Sequence, residues 1–149
     1  MIPGQKYTAT SGIFTVPASA TDLFLLGAVA NVPIYLHRVV ATSGNSAVLG
    51  LQLLRRSTAS TGGSSITPRN TSPAGPAASS TLLLNPVTTT GTGTGDFDDQ
   101  SWNELAPYEF NQYPDGEIIV PGTFCALWMP TAPGSTFTAA WTIEFTEVK

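Results

Sequence analysis

The sequence predicts an all-β protein: an antiparallel β-sandwich of jelly-roll type, with about eight to ten strands and one long polar loop. Three observations carry this reading. Short runs rich in β-branched, aliphatic and aromatic residues recur along the chain, separated by turn formers such as Ser43-Gly44-Asn45-Ser46 and Pro114-Asp115-Gly116. No stretch shows the periodicity of a long helix, and no strand–helix alternation exists that would build a parallel sheet. The length of 149 residues suits one domain, 1–149, and a chain of this size buries roughly two-thirds of its unfolded surface.

Residues 6–10 and 13–16 are short strands, the second bounded by Ser11-Gly12 and Pro17. Residues 22–29 form a nearly continuous apolar run, which fits a strand covered on both faces. In residues 34–42 the alternation places Ile34, Leu36, Arg38 and Val40 on one face and Tyr35, His37, Val39 and Ala41 on the other. The turn at 43–46 then leads into residues 47–56, and the two strands read as a hairpin. Residues 57–80 are almost all Ser, Thr, Gly, Pro and Ala, with Ile66 the one large aliphatic. This stretch reads as a surface arm kept extended by Pro68, Pro73 and Pro76. Lacking apolar residues to anchor it, the arm is expected to lie on another polypeptide, with Arg69 as its charged contact and Ile66 as its plug.

Residues 81–90 return to strand. Residues 91–113 form an acidic, aromatic insertion: a flexible Gly-Thr connection at 91–95, the cluster Asp96, Asp98 and Asp99, a short helix near 100–105, and the aromatics Trp102, Tyr108, Phe110 and Tyr113. Strands at 117–120, 123–129 and 136–148 complete the set. In the last, Phe137, Ala139, Trp141, Ile143 and Phe145 share one face against Thr138, Ala140, Thr142, Glu144 and Thr146.

Composition narrows function. Charged residues are 11% of the chain, under half the usual share of about 25%, while Ser and Thr occupy 34 positions. The net charge is −4 and the six basic residues are scattered, so the basic patch that binds nucleic acid is missing. The longest apolar stretch, 23–30, is far short of the ~20 residues that span a bilayer, and the first six residues do not have the pattern of a signal peptide. One cysteine, Cys125, excludes an intrachain disulfide and reads as a small buried hydrophobe.

Few constellations carry chemistry. His37, the sole histidine, reads as a packed or hydrogen-bonded strand residue, and no Gly-x-Ser-x-Gly elbow accompanies it. Asp96 and Asp98 copy the first two ligand positions of a calcium loop, but Ser101 stands where that loop needs glycine. Solvated carboxylates are the plainer reading, so no metal and no cofactor is assigned. Glu104 and Glu109 could be written as a glycosidase pair with Trp102 and Tyr108 as sugar platforms, but paired acids in a loop are usually solvated. The six residues Ile66, Arg69, Trp102, Tyr108, Phe110 and Tyr113 are the interface candidates, because Trp and Tyr concentrate either in cores or at interfaces.

Three segments also carry a resemblance. The run from Asp22-Leu23-Phe24 to Arg38-Val39-Val40, the segment Leu51-Gln52-Leu53-Leu54-Arg55-Arg56-Ser57-Thr58-Ala59-Ser60-Thr61-Gly62-Gly63, and the ending Trp141-Thr142-Ile143-Glu144-Phe145-Thr146-Glu147 resemble, in that order, small structural proteins of tailed phages. The resemblance implies a jelly-roll head-decoration (cement) protein without catalysis. It further implies a homotrimer seated on the major capsid protein at the outer face of the virion. The segment 96–113 departs from that pattern. The alternative expectation is a carbohydrate- or receptor-binding jelly roll of a tail fibre or baseplate, since one fold serves both roles.

Overall fold

A computed structural model describes residues 4–86 and 88–149. The described residues form thirteen strands and no helix. They are β1 (Gln5–Thr10), β2 (Phe14–Val16), β3 (Thr21–Gly27), β4 (Ile34–Ser43), β5 (Leu49–Arg56), β6 (Ser64–Ser65), β7 (Arg69–Asn70), β8 (Thr81–Leu84), β9 (Gly93–Trp102), β10 (Tyr108–Asn111), β11 (Glu117–Ile119), β12 (Phe124–Met129) and β13 (Phe137–Glu147). Two antiparallel sheets pack face to face as a β-sandwich. The first runs β10-β4-β13-β1-β7, with β11 also on β4 and β2 on β13; the second runs β6-β8-β3-β12-β5-β9.

The apolar faces meet in one core. Trp141 on β13 reaches across it, donating its indole N–H to the Leu23 carbonyl of the opposite sheet at 2.9 Å, with Phe24 edge-on at 5.3 Å. This contact satisfies the indole's one polar atom while burying the ring. All seven residues of β3 are buried, the polar Thr21 and Asp22 along with the apolar run that follows them. Its outer face is covered by a second small cluster, Leu25, Leu54 and Ala126 under Leu83, Phe124 and Trp128.

The structure corrects four sequence expectations. First, β4 and β5 are not a hairpin: β4 pairs with β13, β10 and β11, whereas β5 pairs with β12 and β9 in the other sheet. The turn after Ser43 is an arch between sheets. Both strands have an apolar face, so a hairpin and an arch look alike in sequence. Second, a bulge breaks the predicted alternation of β4. Phe145 pairs with Leu36 and Glu144 with Arg38, leaving His37 as the extra residue. Ile34 and Leu36 face inward before it, and Val39 and Ala41 after it. Third, no helix forms near 100–105; that stretch ends β9 and turns. The connection predicted at 91–95 and the acidic cluster also lie mostly within β9. Fourth, the strand predicted over 81–90 stops at Leu84, where Asn85 takes a left-handed φ of 47° ahead of Pro86. Val87 lies outside the described residues, as do Met1, Ile2 and Pro3.

Two long segments close opposite sides of the sandwich. The arm at 57–80 is a strap: β6 pairs with β8 of one sheet and β7 with β1 of the other. Its entry at Gly63, with φ of 74°, is a place where an added Cβ would sit 2.1 Å from the Leu84 carbonyl oxygen. On the other side, the Gln100 side-chain amide donates to the Glu109 carbonyl at 2.6 Å, and Tyr108 donates its hydroxyl to Asp98 at 2.5 Å. These contacts tie the β9 edge to the β10 edge.

Candidate functional site

Of the six interface candidates, three belong to the chain's own core. Trp102, Tyr108 and Phe110 are buried, Trp102 edge-on to Phe137 at 6.0 Å and Phe110 edge-on to Phe97 at 5.7 Å. The aromatics of this segment are core plugs, because a long edge strand needs inward rings to hold it to the sandwich. Burial and the Asp98 hydrogen bond push the Tyr108 phenol upward, so it stays protonated. A sugar platform built on Trp102 and Tyr108 is therefore not available, and Glu104 and Glu109 are exposed on a turn and on a strand edge.

The arm pairs with both sheets of its own subunit. Ile66 packs against the core and donates its N–H to Leu82 at 2.9 Å. Thr71 N–H donates to Lys6 at 2.9 Å, and the Tyr7 hydroxyl lies 3.2 Å from the Pro76 carbonyl. The buried Glu147 carboxylate accepts the backbone N–H groups of Ser79 and Ser80 at 2.8 and 2.7 Å, and pairs with Lys149 at 3.0 Å. Burial alone would raise this acid, but the donors outweigh it and hold its pKa below the usual glutamate value. Arg69 remains an exposed residue of β7.

A buried polar network anchors the ends of the two segments to the outer face of the second sheet. Arg56 grips Asp22 with two nitrogens, Nε at 3.1 Å and Nη2 at 2.6 Å, and donates Nη1–H to the Gly91 carbonyl at 2.6 Å. The Ser60 hydroxyl donates to Asp22 and accepts from Gly91 N–H. Each member is satisfied, which a buried ion pair requires to be tolerated.

The remaining chemical groups are dispersed. Cys125 is fully buried, and burial pushes its thiol well up, away from a reactive thiolate. Asp98 is used by Tyr108 and by Gln100, which donates to it at 2.8 Å. Asp96 and Asp99 influence each other's proton affinity on the exposed edge strand, with Asp99 raised and Asp96 lowered. No group of three or more His, Cys, Asp or Glu with the spacing of a metal site occurs among the described residues. His37 is a buried strand residue whose Nε2 lies 2.8 Å from the Thr146 hydroxyl, under a Tyr113 ring stacked at 4.9 Å.

What the fold assembles instead is a surface. At one end of the sandwich, Glu104 N–H donates to Asn45 at 2.8 Å and Gly44 N–H to Thr138 at 2.7 Å, joining the 43–48 and 103–107 turns to the start of β13. Ile13 lies against the same strand ends, around a shallow hollow with Thr42, Gly44 and Ala140. Three aliphatic side chains project from this end: Ile13 is 84% exposed, Val48 67% and Leu105 86%. Across 11–13, 43–48 and 103–107 the single charged residue is Glu104. Sequence reasoning missed these positions, although each is a lone aliphatic inside a turn of small polar residues. Comparison with protein-family models, with curated proteins and with solved structures finds no match to this chain.

Proposed function

We propose that the chain is a non-catalytic structural protein that docks through the apolar end formed by Ile13, Val48 and Leu105. The setting we propose is the outer surface of a tailed-phage head, as a decoration protein bridging capsid subunits. The observation that carries the reading is that end: three aliphatics, 67–86% exposed, on turns with one charge between them. Burying one such side chain contributes roughly 1.5–3 kcal/mol, so three give a modest contact that a trimer would multiply by avidity.

Two further features support the setting. The strand orders β10-β4-β13-β1 and β3-β12-β5-β9 interleave early and late strands in both sheets, the winding of two Greek keys, which supports the jelly-roll reading. Both lateral sides of the sandwich are closed by the chain itself, so the ends are the natural places for contacts between molecules. The test is co-sedimentation of the Val48→Lys, Leu105→Lys double variant with undecorated heads. Its expected result is loss of binding with an unchanged circular dichroism spectrum. Binding at wild-type occupancy would overturn the reading.

A further inference from the structure

The bulge in β4 sets up a device separate from the docking end. It places His37, 3% exposed, on the outer face of the first sheet beneath the turn 112–116, which joins β10 to β11. That turn is fastened to the histidine from several directions. Gln112 N–H donates to the His37 carbonyl at 2.8 Å, and Gly116 N–H closes the turn on the Gln112 carbonyl at 2.6 Å. The Tyr113 ring lies flat on the imidazole, 9° from parallel, and its hydroxyl donates to Glu144 at 2.5 Å. Lys6 stands over the other part of this stack, 4.6 Å from the Tyr113 centroid and 4.0 Å from Glu144.

The imidazole has one satisfied nitrogen. Nε2 faces Thr146, whereas Nδ1 is buried with no acceptor. Gly116 passes close beside it: a Cβ added at that position would lie 2.9 Å from Nδ1, and its φ of 74° also favours glycine. A neutral ring can leave Nδ1 as an unprotonated lone pair, with Nε2–H donating to Thr146. A charged ring cannot, because both nitrogens then carry hydrogens and the buried Nδ1–H has no acceptor.

We infer that His37 is an acid-sensitive clasp: the turn 112–116 is closed over the neutral imidazole and is released when His37 takes up a proton. The groups around it set the sign. Burial is the main influence against the charged ring, Lys6 from β1 adds like charge, and Glu144 from β13 opposes both, leaving the pKa below its ordinary value. Of the others, Tyr113 is held protonated by burial and by Glu144, Glu117 on β11 is engaged by Arg55, Tyr35 and Arg38 lie on β4 to either side of Leu36 and His37, and Asp115 lies in the turn itself. Because the proton binds the open state better, closure is at full strength above the ordinary histidine value of about 6.5. It weakens as pH falls through that value and levels off below the depressed closed value.

The experiment is amide hydrogen exchange by NMR on the full chain between pH 7.5 and 4.5, corrected for intrinsic exchange. The His37 ring protons are titrated in the same samples. Protection at Gln112 and Gly116 should fall by at least about tenfold across the titration while Val39 on the inner run of β4 keeps its protection. His37→Gln, which cannot titrate, should abolish that fall. Flat protection at Gln112 and Gly116 through the His37 titration overturns the clasp, as does the same fall in His37→Gln. Should that variant not fold, the coincidence of ring titration and amide exposure in the wild-type protein decides alone.

Discussion

The two long segments that close the sandwich are held by opposite means. The strap at 57–80 has little to bury beyond Ile66 and is fixed by directed polar contacts: strand pairing through β6 and β7, the Glu147 carboxylate on Ser79 and Ser80, and Lys6 and Tyr7 on its backbone. The segment from Gly93 to Asn111 is fixed by rings, with Trp102, Tyr108 and Phe110 inside the core. A stretch of Ser, Thr, Gly and Pro is thus ordered when the framework supplies the donors and acceptors that it cannot supply itself. The two modes differ in how they fail. Loss of a core ring weakens the whole sandwich, because the core is shared, whereas loss of a strap contact frees the strap alone.

The largest effect is expected at the ring side. Trp102→Ala removes a fully buried indole and should lower global stability by about 3–5 kcal/mol, read by denaturant unfolding with the transition still a single step. Next comes Glu147→Gln, which replaces an acceptor of two backbone N–H groups and should cost about 1–3 kcal/mol. Its signature is local: Ser79 and Ser80 amides should exchange faster before global unfolding. Its pH dependence follows from the depressed acid. The carboxylate's contribution is present above the ordinary glutamate value of about 4.3 and is lost as pH falls through the lower folded value, so Glu147→Gln should flatten the acid limb of the stability curve. The smallest is Gln100→Ala. It removes the amide that bridges the β9 and β10 edges and should cost about 1 kcal/mol, seen as raised exchange around Glu109. If Glu147→Gln instead lowered global stability as much as Trp102→Ala, the distinction between the two sides would fail.

Much of the fold is legible in the residues. The continuous apolar run of β3 announces a strand covered on both faces, and the strict alternation through Phe137 to Phe145 announces the inward face of β13. What escapes is long-range. The bulge at His37 depends on register against β13, and the arch between β4 and β5 depends on which sheet each strand joins; neither is encoded in local spacing. The strap's contacts within the chain are hidden for a related reason. Its partners, Lys6, Tyr7 and Glu147, lie some seventy residues away in sequence, so its own composition carries no sign of them. The proposed docking end is hardest to read, since a single aliphatic in a turn is ordinary until the fold brings three such turns to one end of the molecule.

The central claim is that this end, and not a face or a flank, meets the neighbouring molecules. Hydrogen–deuterium exchange footprinting of the wild-type chain, free and bound to undecorated phage heads, tests it most directly. The account predicts that binding protects 11–13, 43–48 and 103–107 and leaves the strap and the β9 edge as they are in the free protein. Protection centred on the strap or on the outer faces of the sheets, or no binding to heads at all, would contradict it.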